Sequence, residues 1–104
     1  MMKVSELTGA ALDWAVAKCE GEEVRLIKGQ LETLWTDNGY KPSTDWAQGG
    51  PIIEREKITI FQTGKDWMGY IRHDTESFAP TPLIAAMRCY VASKLGDEVE
   101  IPED

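Results

Sequence analysis

The sequence predicts an α+β domain in which two main helices pack on a small antiparallel sheet of about four strands. Apolar residues recur with a helical period near each end of the chain. Between those stretches lie short apolar runs joined by glycine-containing turns, which are typical of hairpins. Helices and strands therefore follow one another in blocks, as in α+β proteins. A length of 104 residues suits a single domain spanning 1–104.

Two helices have recognisable starts and stops. Ser5 is the expected N-cap of a helix over about residues 6–20, and a glycine follows it. The second helix begins at Thr81-Pro82, because threonine is a good N-cap and proline suits the first helical position. It is predicted over residues 82–95 with a glycine after it. Each helix carries an apolar face for the core.

Short β-type runs fill the centre of the chain. Residues 24–27 and 31–35 flank a glycine-containing connection and predict one hairpin. Residues 58–62 and 67–72 flank a second turn and predict another. Residues 99–101 alternate apolar and acidic side chains, which predicts a short edge strand.

The charge balance argues against one class of partner. The chain has 18 acidic and 11 basic residues, for a net charge of −7. Acidic surfaces repel phosphate backbones, so we expect no non-specific binding to nucleic acid. Much of the excess lies in an acidic C-terminal tail at about 97–104, which leaves room for a basic pocket elsewhere.

The two cysteines and the hydropathy bear on the cellular compartment. Cys19 and Cys89 each fall in a predicted helix beside apolar neighbours, which favours two buried free thiols in a reducing cytosol. One buried disulfide is the alternative. No apolar run approaches the length of about 18 residues that a membrane span requires. We therefore expect a protein that is neither exported nor membrane-spanning.

The sequence contains no recognisable catalytic motif. His73 has no spaced cysteine or histidine partners for zinc, and no phosphate-binding loop or nucleophile elbow is present. We therefore predict no catalytic residue, no bound metal and no cofactor. Asp45 and Glu54 remain an alternative pair for acid–base or magnesium chemistry if the fold brings them together.

A segment without periodicity at residues 40–51 is the most informative part of the chain. It is rich in Pro, Gly, Ser, Thr and Asp, and it predicts a long loop, with Pro51 opening a short helical turn through Arg55. A second loop is predicted at residues 73–80. Long ordered loops in compact domains are often functional.

The first loop has two interpretations. In one, Ser43, Thr44 and Asp45 bond their own backbone while Trp46 plugs the core. In the other, the two glycines expose backbone amides to a ligand, and Trp46 stacks on a ring of that ligand. Neighbouring polar groups then supply directional contacts to it. The second interpretation predicts a set of ligand-binding residues: Tyr40, Ser43, Thr44, Asp45, Trp46, Gln48, Gly49, Gly50, Arg55, Thr81, Leu83 and Arg88.

Arginines and a helix start supply the anion-binding part of this hypothesis. The helix that begins at Thr81 exposes amides from Leu83 onward, and helix N-termini attract anions. Arg88, Arg55 and Arg72 are candidate clamps for phosphate or carboxylate. The alternative is that Arg88 pairs with an acid on a neighbouring element.

Four segments resemble the NinX-like proteins of lambdoid phages and their prophages. They are ELTGAALDWAV at 6–16, PSTDWAQGGPIIE at 42–54, PTPLIAAMRCYV at 80–91 and LGDEV at 95–99. The resemblance covers most of the chain and implies a phage origin and action in the host cytoplasm. The family has no assigned activity, so the resemblance implies no catalytic residues.

Three functional hypotheses follow. The first is a non-enzymatic, homo-oligomeric binder of a small anionic, nucleotide-like metabolite, which would sequester a host defence signal. The second is a protein-interaction module that modulates a host enzyme. The third is a small hydrolase acting on a nucleotide signal through Asp45 or Glu54.

Overall fold

The computed structural model describes residues 2–21, 24–27, 30–33, 40–72 and 75–100. These residues form an α+β fold, which confirms the predicted class. The described part has three α-helices rather than two main ones, and its strands form one three-stranded and two two-stranded antiparallel sheets.

The elements follow in chain order. The helices are α1 (Gly9–Glu20), α2 (Trp46–Glu56) and α3 (Pro82–Leu95), and a 3₁₀ turn covers Val4–Glu6. The strands are β1 (Met2–Lys3), β2 (Val24–Ile27), β3 (Gln30–Thr33), β4 (Thr59–Thr63), β5 (Asp66–Ile71), β6 (Thr75–Ala79) and β7 (Glu98–Val99).

The three-stranded sheet runs in the order β4-β5-β6. A two-residue turn joins β4 to β5, and Gly64 occupies its first position with a φ of 59°, which suits the turns that match strand twist. One face of the sheet packs on α3, where a Cβ on Gly69 would lie 3.1 Å from the backbone oxygen of Ala85. Gly69 therefore lets helix and sheet approach closely.

Helix α3 is the centre of the molecule. It packs against the sheet on one side and against α1 and α2 on the other. Leu83 is buried, and so is the whole run 85–91. A helix enclosed on several sides has no solvent-facing side in its middle turns, so the single apolar face predicted from the sequence understates its burial.

The first helix begins later than predicted. Ser5 lies in the 3₁₀ turn, and Thr8 precedes α1 as its N-cap residue. The predicted stop is correct, because Gly21 adopts the left-handed conformation with a φ of 72°. The backbone N–H of Gly21 donates to carbonyls of the last turn, as expected for a helix C-cap.

The predicted loop at 40–51 is wrong over its second half, because α2 begins at Trp46. Asp45 caps this helix, its carboxylate accepting the N–H of Ala47 at 2.9 Å. Pro51 lies inside the helix and does not start it. Two glycines and a proline lower helix propensity enough to hide a helix that tertiary packing holds in place.

The predicted second loop at 73–80 is also wrong in part, since Thr75–Ala79 forms β6 against β5. The predicted strand at Val99 is confirmed: β7 pairs antiparallel with β1. Ile101 lies outside the described residues. The first hairpin is confirmed in its backbone by the antiparallel pairing of β2 with β3, and residues 34–35 of its second strand lie outside the described part.

Both cysteines are free thiols, as predicted. Cys89 is buried and its Sγ donates to the carbonyl of Thr75 at 3.3 Å. Cys19 is half-buried, and burial raises the pKa of its thiol to about 11, so it is a poor nucleophile near neutral pH. Across the described segments, no helix combines the length and apolar content needed to cross a membrane.

Candidate functional site at the start of helix α2

A buried carboxylate fixes the turn that leads into α2. Asp13 of α1 is buried, and its Oδ1 accepts the backbone N–H of Ser43 at 2.8 Å. Ser43 is itself buried, so this N–H would otherwise lack a partner in the interior. Asp13 therefore anchors the turn to the first helix. It is not among the predicted site residues, because an aspartate in a predicted helix is ordinarily expected to face solvent.

The environment of Asp13 makes folding pH-dependent. Burial raises the pKa of Asp13 above its ordinary value of 3.8, and the hydrogen bonds from Ser43 only partly oppose this. The folded protein then holds the proton more tightly than the unfolded chain does. Ionisation of Asp13 therefore disfavours folding as pH rises from 3.8 through the folded-state pKa.

We expect Asp13→Asn to gain stability relative to the wild type as pH rises through this window, because asparagine keeps the acceptor and cannot ionise. Asp13→Ala should lose about 1–3 kcal/mol, because the N–H of Ser43 is left buried without its partner. Urea denaturation of the three proteins at several pH values measures both effects. A constant difference between Asp13→Asn and the wild type across pH contradicts the assignment.

Polar side chains close the turn before α2. Gln48 accepts the backbone N–H of Lys41 at 2.8 Å through Oε1, and its Nε2 donates to Asp45 at 3.3 Å. The N–H groups of Thr44 and Asp45 both donate to the carbonyl of Lys41. The side chains of Asp45 and Gln48 therefore bond the backbone of this segment, and the first turn of α2 is held from several directions.

Gly49 joins α2 to the start of α3. A Cβ on Gly49 would lie 2.3 Å from the carbonyl oxygen of Pro42 and 2.6 Å from Cδ1 of Leu83. The glycine is therefore required by close packing and does not open the backbone to a ligand. The structure does bring the 42–50 segment next to the first turn of α3, whose N-cap Thr81 accepts the N–H of Ile84 at 3.2 Å.

Trp46 is a large apolar residue that this region exposes to solvent. Its side chain is 53% exposed, so it does not plug the core. The indole lies beside Gly50, with Cε3 4.0 Å from the position of an added Cβ. Ala47 and Pro51 on the same helix are also exposed. The beginning of α2 thus presents a small apolar surface, which we call the Trp46 surface.

Arg88 lies in the interior, away from the Trp46 surface. It is 8% exposed, and its Nε and Nη1 donate to the carbonyls of Leu7 and Phe78, each at 2.8 Å. Burial lowers the pKa of this guanidinium. Among the described residues, Arg88 bonds backbone carbonyls and no acid, so the alternative of an acid partner is wrong there. Arg88 ties the N-terminal turn and β6 to α3.

Arg55 lies at the opposite end of α2. Its guanidinium donates to Glu20 through both terminal nitrogens and to Glu56 through Nε. The hydroxyl of Tyr90 also donates to Glu20. Burial alone would raise the pKa of Glu20, but the hydrogen bonds from Arg55 and Tyr90 outweigh it and lower this pKa. The cluster fastens the C-terminal ends of α1 and α2 to α3.

The predicted site therefore divides into two groups. One group converges around the first turns of α2 and α3, and the two arginines stand apart from it. The half-buried Tyr40 packs against the core near the first group. Asp45 is the N-cap residue of α2, and Glu54 lies nine positions further along the chain, about 13 Å away along the helix axis. They therefore do not form the pair proposed as an alternative for catalysis.

Two further features bear on ligand chemistry. Within the described ranges, no group of three or more His, Cys, Asp or Glu side chains is placed to hold a metal ion, and His73 lies outside those ranges. A half-open cavity of about 360 Å³ lies at the other end of α3, lined by both signs of charge from Lys3, Asp97 and Glu98. None of the predicted ligand-binding residues lines it.

Together these features define a small α+β domain built around one buried helix, with an exposed tryptophan on a firmly held helix start. The chain matches the family model described as Bacteriophage P22, NinX over residues 3–94. It therefore belongs to this family of phage proteins. No curated protein matches the chain.

Proposed function

We propose that this protein is a non-enzymatic binder of a small, ring-containing anionic metabolite of nucleotide type, and that Trp46 is the surface on which the ring stacks. In this proposal it acts in the host cytoplasm and sequesters a host defence signal. The observation that supports it best is the exposure of Trp46 on a helix start that is otherwise tightly held.

Two energetic features favour recognition by Trp46. A tryptophan exposed to water forgoes the burial energy that its size normally contributes. The surrounding backbone is fixed by Asp13, by the Asp45 cap and by the packing of Gly49 on Leu83. A backbone that is already rigid loses little conformational entropy when a ligand binds, so it suits a ligand site.

We propose that the cation facing the ligand's anionic part is not one of the predicted arginines. Arg55 and Arg88 are engaged by internal partners. Lys41 is exposed and lies on the turn that Gln48 closes against α2. We propose Lys41 as the cation for the anionic part of the ligand, since a lysine ammonium is a mobile point charge able to reach a phosphate.

Calorimetric titration with a panel of nucleotides tests this proposal. Base stacking on an aromatic side chain contributes about 1–3 kcal/mol, so Trp46→Ala should weaken binding by about 5- to 150-fold. Lys41→Ala should weaken it less, and more strongly at low salt. Phe78→Ala is the matched control, because Phe78 is a similarly exposed aromatic residue on another surface. Absence of binding to every nucleotide by the wild type removes the proposal.

A protein-interaction module is the second candidate. It is favoured by the solvent-facing side of the three-stranded sheet, where Phe61, Met68 and Phe78 stand in one row across the strands. Exposed apolar groups in a continuous row are typical of interfaces. In a pull-down of a host protein, loss through Phe78→Ala with retention by Trp46→Ala would favour this candidate over ligand binding.

A further inference from the structure

The free edge of β4 carries an inference that does not rest on the proposed function. In the described part of the chain, β4 pairs with β5 on one side, and no described strand pairs with its other side. An edge strand exposes unpaired N–H and C=O groups, and proteins usually guard it with charge, proline or a bulge. The sequence of β4, Thr59-Ile60-Phe61-Gln62-Thr63, contains neither charge nor proline.

The hairpin defines which groups face outward. The closing pair of a two-residue hairpin, Thr63 with Asp66, exchanges its hydrogen bonds within the hairpin, and bonded and non-bonded pairs then alternate along the strands. The backbone groups of Ile60 and Gln62 therefore point to the open edge. No strand of the described part pairs with them on that side, so they can form a ladder with another strand.

We propose that β4 pairs antiparallel with β4 of a second copy, so that the two three-stranded sheets join into one of six strands. A two-fold axis at Phe61 places Ile60 opposite Gln62 of the other copy, and their outward backbone groups then bond to each other. Thr59 faces Thr63, a favourable cross-strand pair, and the two Phe61 rings meet at the axis. The near-symmetry of the strand about Phe61 fits a second copy better than an unrelated chain.

The outer face of the sheet supports this arrangement. Phe61 is 40% and Phe78 49% exposed, and both lie in the row that includes Met68. Phe61 also makes an edge-on contact with Tyr70, with ring centroids 6.0 Å apart. Pairing at β4 extends the row without a break into the second copy. The two-fold axis then passes through the Phe61 end of this row.

Charge is consistent with a second copy at this edge. Each chain has a net charge of −7, so most faces of two copies repel each other. Because β4 is uncharged, pairing there brings no like charges into direct contact. The remaining repulsion acts at longer range and is screened by salt, so the dimer should strengthen as ionic strength rises.

Analytical ultracentrifugation of the full chain tests the proposal. The wild type should sediment at twice the 11.7 kDa of one chain, and Phe61→Lys, which sets like charges face to face at the axis, should sediment as one chain. Phe78→Lys makes the same change on the same face but on the far strand, so it should remain dimeric. A monomeric wild type, a dimeric Phe61→Lys, or dissociation by both variants overturns edge pairing; the last would indicate packing of the two faces.

A crosslink gives a second readout that does not depend on the lysine variant folding. Residues at a non-bonded antiparallel pair have Cα atoms about 4.5 Å apart, which is within disulfide range. Mild oxidation should therefore link Phe61→Cys chains into dimers and leave Phe78→Cys and wild-type chains unlinked. Equal crosslinking of the two variants contradicts the proposed axis.

Discussion

Arg88→Ala is expected to lower the free energy of unfolding by about 3–5 kcal/mol. The guanidinium of Arg88 bonds the carbonyls of Leu7 and Phe78 inside the protein. Its removal takes the partner from the buried carbonyl of Leu7 and from the part-buried carbonyl of Phe78, and it opens a cavity beside α3. Urea denaturation followed by far-ultraviolet circular dichroism measures the loss.

Arg55→Ala is the matched control for this prediction. The side chain of Arg55 is half exposed, and its ion pairs with Glu20 and Glu56 lie near the surface. Pairs near the surface contribute about 0–1 kcal/mol each, so this variant should lose clearly less stability than Arg88→Ala. Equal losses in the two variants contradict the structural role given to Arg88. A binding defect in Arg88→Ala would, on this account, reflect folding and not ligand contact.

Gly49→Ala is also expected to lower the free energy of unfolding. The new Cβ would stand 2.3 Å from the carbonyl oxygen of Pro42 and 2.6 Å from Cδ1 of Leu83. Because the nearer atom belongs to the backbone, α2 or the preceding turn must move. Overpacking of this kind costs about 1–3 kcal/mol, even though alanine favours a helix by about 1 kcal/mol over glycine.

The neighbouring glycine provides the control. Apart from its chain neighbours and the backbone of its own helix, a Cβ on Gly50 meets nothing closer than Trp46 Cε3 at 4.0 Å. Alanine has the higher helix propensity, but Pro51 follows directly and disfavours a helical backbone at a preceding residue that carries a Cβ, so Gly50→Ala should stay within about 1 kcal/mol of the wild type. Thermal denaturation should show Gly49→Ala to be clearly less stable than Gly50→Ala. A Gly49→Ala protein as stable as Gly50→Ala is incompatible with the close contact between α2 and α3.

Local signals predicted some elements well. The start of α3 at Thr81 and Pro82, the stop of α1 at Gly21 and the β4–β5 hairpin each depend on capping or turn residues, which act within a few positions. Helix α2 was missed because its Gly-Gly-Pro sequence opposes helix formation locally. What holds it is distant in sequence, above all the packing of Gly49 on Leu83.

The unusual composition of residues 40–51 singles out Trp46 and its neighbours as a candidate site. The partners of Arg88 and Arg55 leave no such local signal, and the carbonyl of Leu7, for example, is 81 positions from Arg88. The contact between Asp13 and Ser43 spans 30 positions and is equally hidden in the sequence. Long-range contacts decide whether a charged residue is free to bind a ligand or is used by the fold.

Mass spectrometry of small molecules released by denaturation tests the central proposal most directly, using wild-type and Trp46→Ala proteins purified in parallel from infected cells. We predict that the wild type releases a ring-containing, phosphate-bearing compound in an amount comparable to the protein, and that Trp46→Ala releases little of it. Identical profiles from the two folded proteins, or no bound compound in the wild type, would contradict the proposed role of Trp46.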